Sequence, residues 1–415
     1  MSNGKNQRDA VIVGAARTPI GRFQGGLSSL SATELGGIAI HEAIKRSGVD
    51  AETVYEVIMG HVVSAGAGQA PARQAAINGG LPTSVGASSV NKVCGSGLKA
   101  VMLAANGITA GEADVFIAGG MESMSNGPFL LPKARSGMRY GHGEVLDSIL
   151  HDGLWCSFES WPMGDAAEFI GRKFELTREE LDTFAVRSHS RAAEATAQGC
   201  FKDEIVPVEV KGRKGKVTVV DHDEPIRASY DGEGGFELGT STAQLGKLRP
   251  AFDPEGIVTA GNAPGLNDGA AALVVMSRAE AERQGLTPLA RIAGYTHAAV
   301  DPKWIFAAPA KAMPRLLDRI GWTMDDVDLV ELNEAFASQA LANGLEMSQE
   351  GHNWDWDKVN VNGGAVALGH PVGASGARVL VTLLYALQNR GLKRGVAGLC
   401  LGGGEAVTLA IELED

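Results

Sequence analysis

The stretch Val93-Cys94-Gly95-Ser96-Gly97 opens an apolar run with helical spacing, Leu98, Val101, Ala105 and Ile108. The run leads to a strand, Val115-Phe116-Ile117-Ala118, and then to Gly119-Gly120-Met121-Glu122-Ser123. Near the other end, Val372-Gly373-Ala374-Ser375-Gly376 opens a second apolar helix, Val379 to Leu387. That one leads through Val396-Ala397-Gly398-Leu399-Cys400 to Gly402-Gly403-Gly404-Glu405-Ala406. Upstream, Glu52-Thr53-Val54-Tyr55-Glu56-Val57 is echoed by Asp326-Val327-Asp328-Leu329-Val330-Glu331. Glycine-rich turns resemble one another by chance, but blocks in the same order at similar spacing argue for a duplication. Two α/β halves would then meet along a pseudo-dyad and build one site from both.

Working outward, Asp9 to Val13 reads as the first strand, and a helix follows from Ser31. There Ser31 and Glu34 have capping-box spacing and Gly48 supplies the stop. Val54 to Val63 reads as a further strand. Strands alternating with helices predict a largely parallel sheet. The N-terminal half is expected over residues 1–123, completed by 249–288, and the C-terminal half over 289–415. Between them, 124–248 changes character and reads as an inserted loop domain that covers a site, with one clear helix capped by Thr177 and Glu180. Its basic run, Lys211-Gly212-Arg213-Lys214-Gly215-Lys216, reads as a solvated turn rather than a phosphate contact.

Composition sets the outer limits. The 415 residues are 44% hydrophobic and 21% charged, an ordinary globular profile. A formal net charge of −12 argues against non-specific binding to nucleic acid or an anionic membrane. No stretch is expected to serve as a membrane span of roughly 18 apolar residues. The polar start, Met1-Ser2-Asn3-Gly4-Lys5, carries no visible targeting segment, so a reducing cytoplasm is the expected compartment. The four cysteines, Cys94, Cys156, Cys200 and Cys400, lack the paired spacing of a zinc site or a redox dithiol.

Four blocks carry chemistry. In Asn91-Lys92-Val93-Cys94-Gly95-Ser96-Gly97-Leu98, a cysteine at a helix start sees unpaired N–H groups, which should favour thiolate. In Gly363-Gly364-Ala365-Val366-Ala367-Leu368-Gly369-His370-Pro371, a histidine sits in a rigid loop; alone it would be structural, but with an activatable cysteine it makes a nucleophile and base. Cys400-Leu401-Gly402-Gly403-Gly404 ends a buried strand, and its glycines leave backbone N–H groups free for an oxyanion hole. Asn333-Glu334-Ala335-Phe336 follows the strand Leu329-Val330-Glu331-Leu332, at the end where side chains face a ligand crevice.

The ordered set, with Arg17-Thr18-Pro19, Leu248-Arg249-Pro250-Ala251-Phe252, Gly261-Asn262 and Leu266-Asn267-Asp268-Gly269, resembles the thiolase family over essentially the whole chain. The resemblance implies duplicated αβα halves in a five-layer arrangement, a loop domain over the site, and a homo-oligomer, dimer or tetramer. It implies acyl transfer between coenzyme A thioesters in fatty acid metabolism, acyl-CoA and coenzyme A as the ligands, and no metal or further cofactor. Cys94 would be acylated and His370 would take its proton. Cys400 would serve as acid and base at the α-carbon. Asn333, through a water, and His370 would hold the enolate oxygen. The N–H groups of Cys94 and Gly402 would hold the tetrahedral oxygen. Met163, Arg227, Phe252, Ala335 and Phe336 would contact substrate.

The chain departs from the acetoacetyl-specific pattern in three places: Trp161-Pro162-Met163-Gly164 replaces His-Met-Gly, Trp304-Ile305-Phe306 replaces a methionine, and Pro264 replaces a serine. About ten residues after Arg227 look inserted. Acetyl-CoA acetyltransfer is the expected activity. A broader-chain 3-ketoacyl thiolase and a silent acyl-CoA-binding scaffold are the alternatives. The related ketoacyl synthases pair their cysteine with two histidines, or His and Asn, where this chain has Cys400. No Gly-x-Ser-x-Gly elbow suggests an α/β-hydrolase.

Overall fold

The computed structural model describes residues 6–212 and 215–414, so Arg213 and Lys214 of the basic run lie outside the described residues. The strands bracketing that run, Val208–Lys211 and Val217–Val220, pair as a hairpin.

In chain order, the N-terminal half contributes β1 (Ala10–Arg17), α1 (Ala32–Ser47), β2 (Glu56–Gly60), α2 (Pro71–Asn78), β3 (Gly86–Val90), α3 (Ser96–Ala110) and β4 (Val115–Ser123). The inserted segment carries α4 (Met163–Lys173) and α5 (Arg178–Ala197), after which β5 (Asn267–Ser277) returns to the sheet. The C-terminal half adds β6 (Ala290–Ala299), α6 (Ala308–Ile320), β7 (Leu329–Leu332), α7 (Ala337–Gln349), α8 (Val372–Arg390), β8 (Arg394–Leu401) and β9 (Glu405–Leu413). Local signals set the helix ends: Ser31 and Thr177 make reciprocal capping boxes with Glu34 and Glu180, and Gly48 closes α1 at φ +68°.

The nine numbered strands lie in one sheet, ordered β7-β8-β9-β6-β1-β5-β4-β2-β3, and the short strand Gly21–Arg22 pairs with β5 as a tenth. The duplication is visible in its topology. β2 runs parallel to β4 as β7 does to β8. β4–β5 and β8–β9 are antiparallel, as are β5–β1 and β9–β6. The halves join where Val11 and Ile12 of β1 meet Arg291 and Ala290 of β6. The sheet is therefore mixed, not largely parallel as expected. In the C-terminal half the reason is local: β8 and β9 are joined by a tight turn at Gly402–Gly404, which needs no crossover helix.

α3 and α8 pack against each other between the two halves of the sheet, in one apolar cluster that takes in Leu98, Val101, Ile108, Val379, Leu383 and inward-facing strand residues of both halves. α1 and α2 cover the outer face of the N-terminal half, and α6 covers that of the C-terminal half. This gives five layers. The segment Val93–Ala110 is long and apolar enough to cross a membrane by composition, contrary to the expectation from the chain; its apolarity is that of the innermost layer. The inserted segment has no separate core around α4 and α5. Their buried Ala166, Ile170 and Phe184 share a cluster with Ile305, Phe306, Ala335 and Cys400 of the C-terminal half. The residues after Arg227 fold into a small hairpin, Ala228–Tyr230 against Phe236–Leu238.

Candidate active site

The site begins where the two central helices cross. A Cβ at Gly97 of α3 would lie 2.6 Å from the amide nitrogen of Ala377 in α8, and one at Gly376 of α8 would lie closer still to the amide nitrogen of Leu98 in α3. A Cβ at Gly60, the end of β2, would lie 2.6 Å from Gly97 N and 2.7 Å from Gly373 O. Glycine at these repeated positions lets the backbones touch, and that contact brings the start of α3 beside the start of α8. Each helix start carries one of the reactive groups.

Cys94 precedes α3 on a sharp turn in which Val93 adopts φ +45°. A β-branched residue is strained there, and the turn leaves Cys94 partly exposed at the floor of a cavity. Its thiol is pushed up to about 12 by burial, against the N–H groups of Cys94 and Gly402, which pull it down, while the charge of Glu122 adds to the rise. The expectation of a lowered thiol is thus reversed. The N–H donors at the helix start are present, but the water that would solvate a thiolate is largely gone.

His370 is buried, and burial pushes it down to about 3, with Arg378 adding to the effect, so it is neutral at pH 7. Its Nδ1 lies 2.6 Å from Ser375 Oγ, whose own proton points to Pro371 O at 2.9 Å. Nδ1 is therefore the donor, and Nε2 is left as an acceptor. The Asn333 amide nitrogen is 3.5 Å from Nε2, while Asn333 Oδ1 is buried with no partner among the described residues, a place for a water. Cys400 is buried at the end of β8, and burial first, then the proximity of Cys94, raises its thiol well above the usual range. A neutral thiol is a proton donor; a neutral imidazole is a proton acceptor.

Cys94, His370 and Cys400 all line one cavity of about 320 Å³. Met163, Phe252, Ala335 and Phe336 line it too, with Pro162, Ile305, Phe306 and Pro264 among its further walls. Asn333 reaches it only through His370. Gly402 lies behind Cys94, its N–H directed at the sulfur. Arg227 is not in the wall; its guanidinium donates to the carbonyl of Ala260, which is. Phe252 stands edge-on to Phe336, which in turn contacts Phe306 at 5.5 Å between ring centres. Trp161 and Trp304 pack on Phe169, as packing residues do.

Residues 10–279 match the model of the thiolase N-terminal domain, and residues 286–413 that of the thiolase C-terminal domain. The chain belongs to the thiolase family. The acetyl-CoA acetyltransferase of Cupriavidus necator is 51% identical over 404 residues, 97% of this chain and 99% of its own. Acetyl-CoA acetyltransferase 2 of Arabidopsis thaliana is 51% identical over 416 residues, 99% of each chain. The solved structure of acetyl-CoA acetyltransferase from Syntrophomonas wolfei matches with a TM-score of 0.93 at 42% identity, covering 98% of this chain and 99% of that one.

Within this thiolase, three polar residues that sequence reasoning did not assign to the site support it from behind. Ser375 fixes the tautomer of His370. Asn267 accepts the His370 N–H at 2.8 Å and donates to Gly21 O at 2.9 Å, and Gly369, at φ +102°, has no room for a side chain against it. Glu122, fully buried, accepts three N–H groups from two separate segments, Val62 and Val63 in one and Gly373 in the other. Asn267 belongs to the Leu266-Asn267-Asp268-Gly269 block and Glu122 to the repeated Gly119-Gly120-Met121-Glu122-Ser123, where each marks the fold rather than the chemistry. A polar residue in an apolar strand was the available signal.

Proposed function

We propose that this thiolase interconverts two acetyl-CoA with acetoacetyl-CoA and free coenzyme A through an acyl-enzyme on Cys94. The observation that carries the reading is the convergence of Cys94, Cys400 and His370 on a single apolar cavity. In thiolysis, Cys94 Sγ attacks the 3-keto carbon as His370 Nε2 takes its proton. The N–H groups of Cys94 and Gly402 receive the developing oxyanion. The C2–C3 bond then breaks, and the electron pair passes to the thioester enolate. His370, now protonated, and Asn333 through a water hold its oxygen, and the Cys400 thiol protonates its carbon. Coenzyme A, its thiol proton passing to the Cys400 thiolate, then takes the acyl group from Cys94, whose sulfur recovers the proton held by His370. Condensation is the reverse, with Cys400 removing the α-proton.

The same reading takes Met163, Phe252, Ala335 and Phe336 as walls for the acyl chain and pantetheine, and Arg227 as a cation toward the nucleotide end. It takes the protein as a cytoplasmic homo-oligomer, dimer or tetramer, acting in fatty acid metabolism with no cofactor beyond its coenzyme A thioesters. The exposed Phe129, Leu131 and Tyr140 and the sheet edge at β3 support an assembled state. Broader chain length is favoured by one feature: Pro162 and Ile305 leave the cavity wall without a polar group at those positions. Mass spectrometry after mixing with acetyl-CoA tests the core of the proposal. An acetyl group on Cys94, absent in Cys94→Ala together with all turnover, is expected. Label on another cysteine alone would overturn it, and no label at all would favour a binding scaffold.

A further inference from the structure

Glu122 is not in the wall of the reacting cavity, yet its carboxyl group gathers three backbone N–H groups. It is fully buried in β4. Its Oε2 accepts the Val62 N–H at 3.0 Å and the Gly373 N–H at 3.0 Å, and its Oε1 accepts the Val63 N–H at 3.2 Å. His61 Nε2 lies 3.4 Å from Oε1. Val62 and Val63 follow β2, whereas Gly373 is in the first turn of α8, so one side chain joins segments far apart in sequence. A Cβ at Gly373 would lie 2.7 Å from Glu122 Oε2, which shows how closely the helix start is drawn onto the carboxylate. Burial raises the carboxyl to about 7 against the pull of these three N–H groups, and the positive end of the α8 dipole acts in the same sense as the donors.

Both joined segments support the reacting pair. Val62, Val63 and Val372 pack together, and Cys94 packs against them. The first turn of α8 carries Ser375, which holds His370 Nδ1 at 2.6 Å.

We propose that Glu122 is a positioning residue of this site, whose carboxylate fixes the start of α8, and with it His370, relative to Cys94. The inference rests on the acyl-enzyme reading above. Glu122→Gln keeps the shape but leaves one oxygen to accept three N–H groups, so the start of α8 must shift.

The test measures Cys94 acetylation by acetyl-CoA in rapid-quench mass spectrometry, with kcat and KM for acetoacetyl-CoA thiolysis, in a four-way set: wild type, Glu122→Gln, Ser375→Ala and the double variant. Glu122→Gln should lose about 10- to 100-fold in acetylation rate and kcat, the scale of a sub-ångström to 1 Å misplacement, with KM within about twofold. Glu122→Asp should recover part of the loss. The Glu122→Gln and Ser375→Ala losses should be less than multiplicative, because both act through His370. Wild-type kcat in Glu122→Gln, or fully multiplicative losses, overturns the proposal. If Glu122→Gln does not fold, the same set run with Glu122→Asp decides it by the same criterion. A wild-type protein that takes no acetyl group on Cys94 refutes the acyl-enzyme reading instead.

Discussion

Gly97→Ala tests whether the contact between the central helices, rather than bulk stability, places the reacting groups. The added Cβ would sit 2.6 Å from Ala377 N, and ordinary contact begins at 3.4 Å, so the helices must separate by 3.4 − 2.6 = 0.8 Å. Its neighbours are the backbone atoms Ala377 N and Gly373 O, the latter at 3.1 Å, and the Ala377 Cβ at 3.1 Å, so no flexible side chain can yield. Overpacking of this kind costs about 1–3 kcal/mol, and alanine in place of glycine inside a helix returns up to about 1 kcal/mol. The net loss of about 0–3 kcal/mol is small beside a typical stability of about 5–15 kcal/mol, and the protein should stay folded. The site is less tolerant. Cys94 stands three residues before Gly97, and His370 three before Gly373, so the separation opens the distance across which the proton moves. A misplacement near 1 Å can cost about a hundredfold in rate. Urea unfolding and steady-state thiolysis of acetoacetyl-CoA should therefore part company, with a modest shift in the unfolding midpoint and a large fall in kcat. A variant with wild-type kcat would falsify the claim that this crossing sets the catalytic distance.

Cys400→Ala should still accept an acetyl group on Cys94 yet turn over about a hundredfold or more slowly, as expected for a removed acid–base group; near-normal turnover would make Cys400 structural. His189 is held down at about 3 by burial, then by Arg227 and Arg22, so the folded state refuses a proton that the unfolded state takes up below about 6.5. Stability should therefore fall as pH drops below 6.5, by about 2 kcal/mol at pH 5 from this residue, and His189→Gln should flatten that slope in urea titrations at several pH values. Phe306→Ala removes a buried cavity wall packed on Phe336. It should raise the specificity constant for the six-carbon relative to the four-carbon substrate by up to about tenfold, the worth of two buried methylenes at about 0.8 kcal/mol each; an unchanged ratio would place the chain-length limit elsewhere.

What could be read from the chain, and what could not, divides along a physical line. Helix starts such as Ser31 with Glu34 are local contacts, complete within four residues, and they were legible. The repeat was legible because glycines at Gly97 and Gly376 are required by a contact each helix makes with the other, and a shared requirement leaves a shared pattern. Strand direction was not, because whether β8 returns through a helix or through the turn at Gly402–Gly404 depends on a connection whose length looks like any other glycine-rich loop. The charge state of Cys94 was read with the wrong sign for a related reason. The helix-start N–H groups are visible in sequence, but the depth of the sulfur is a property of layers contributed by both halves. Depth matters for the chemistry as well as for the charge state. A thiolate–imidazolium pair would have to be held charged in an apolar cavity before substrate arrives, whereas the neutral pair found here separates charge only as the carbonyl is attacked, when the N–H groups of Cys94 and Gly402 can share the new negative charge. The same apolar walls that admit the acyl chain thus postpone ionisation to the step in which it is useful.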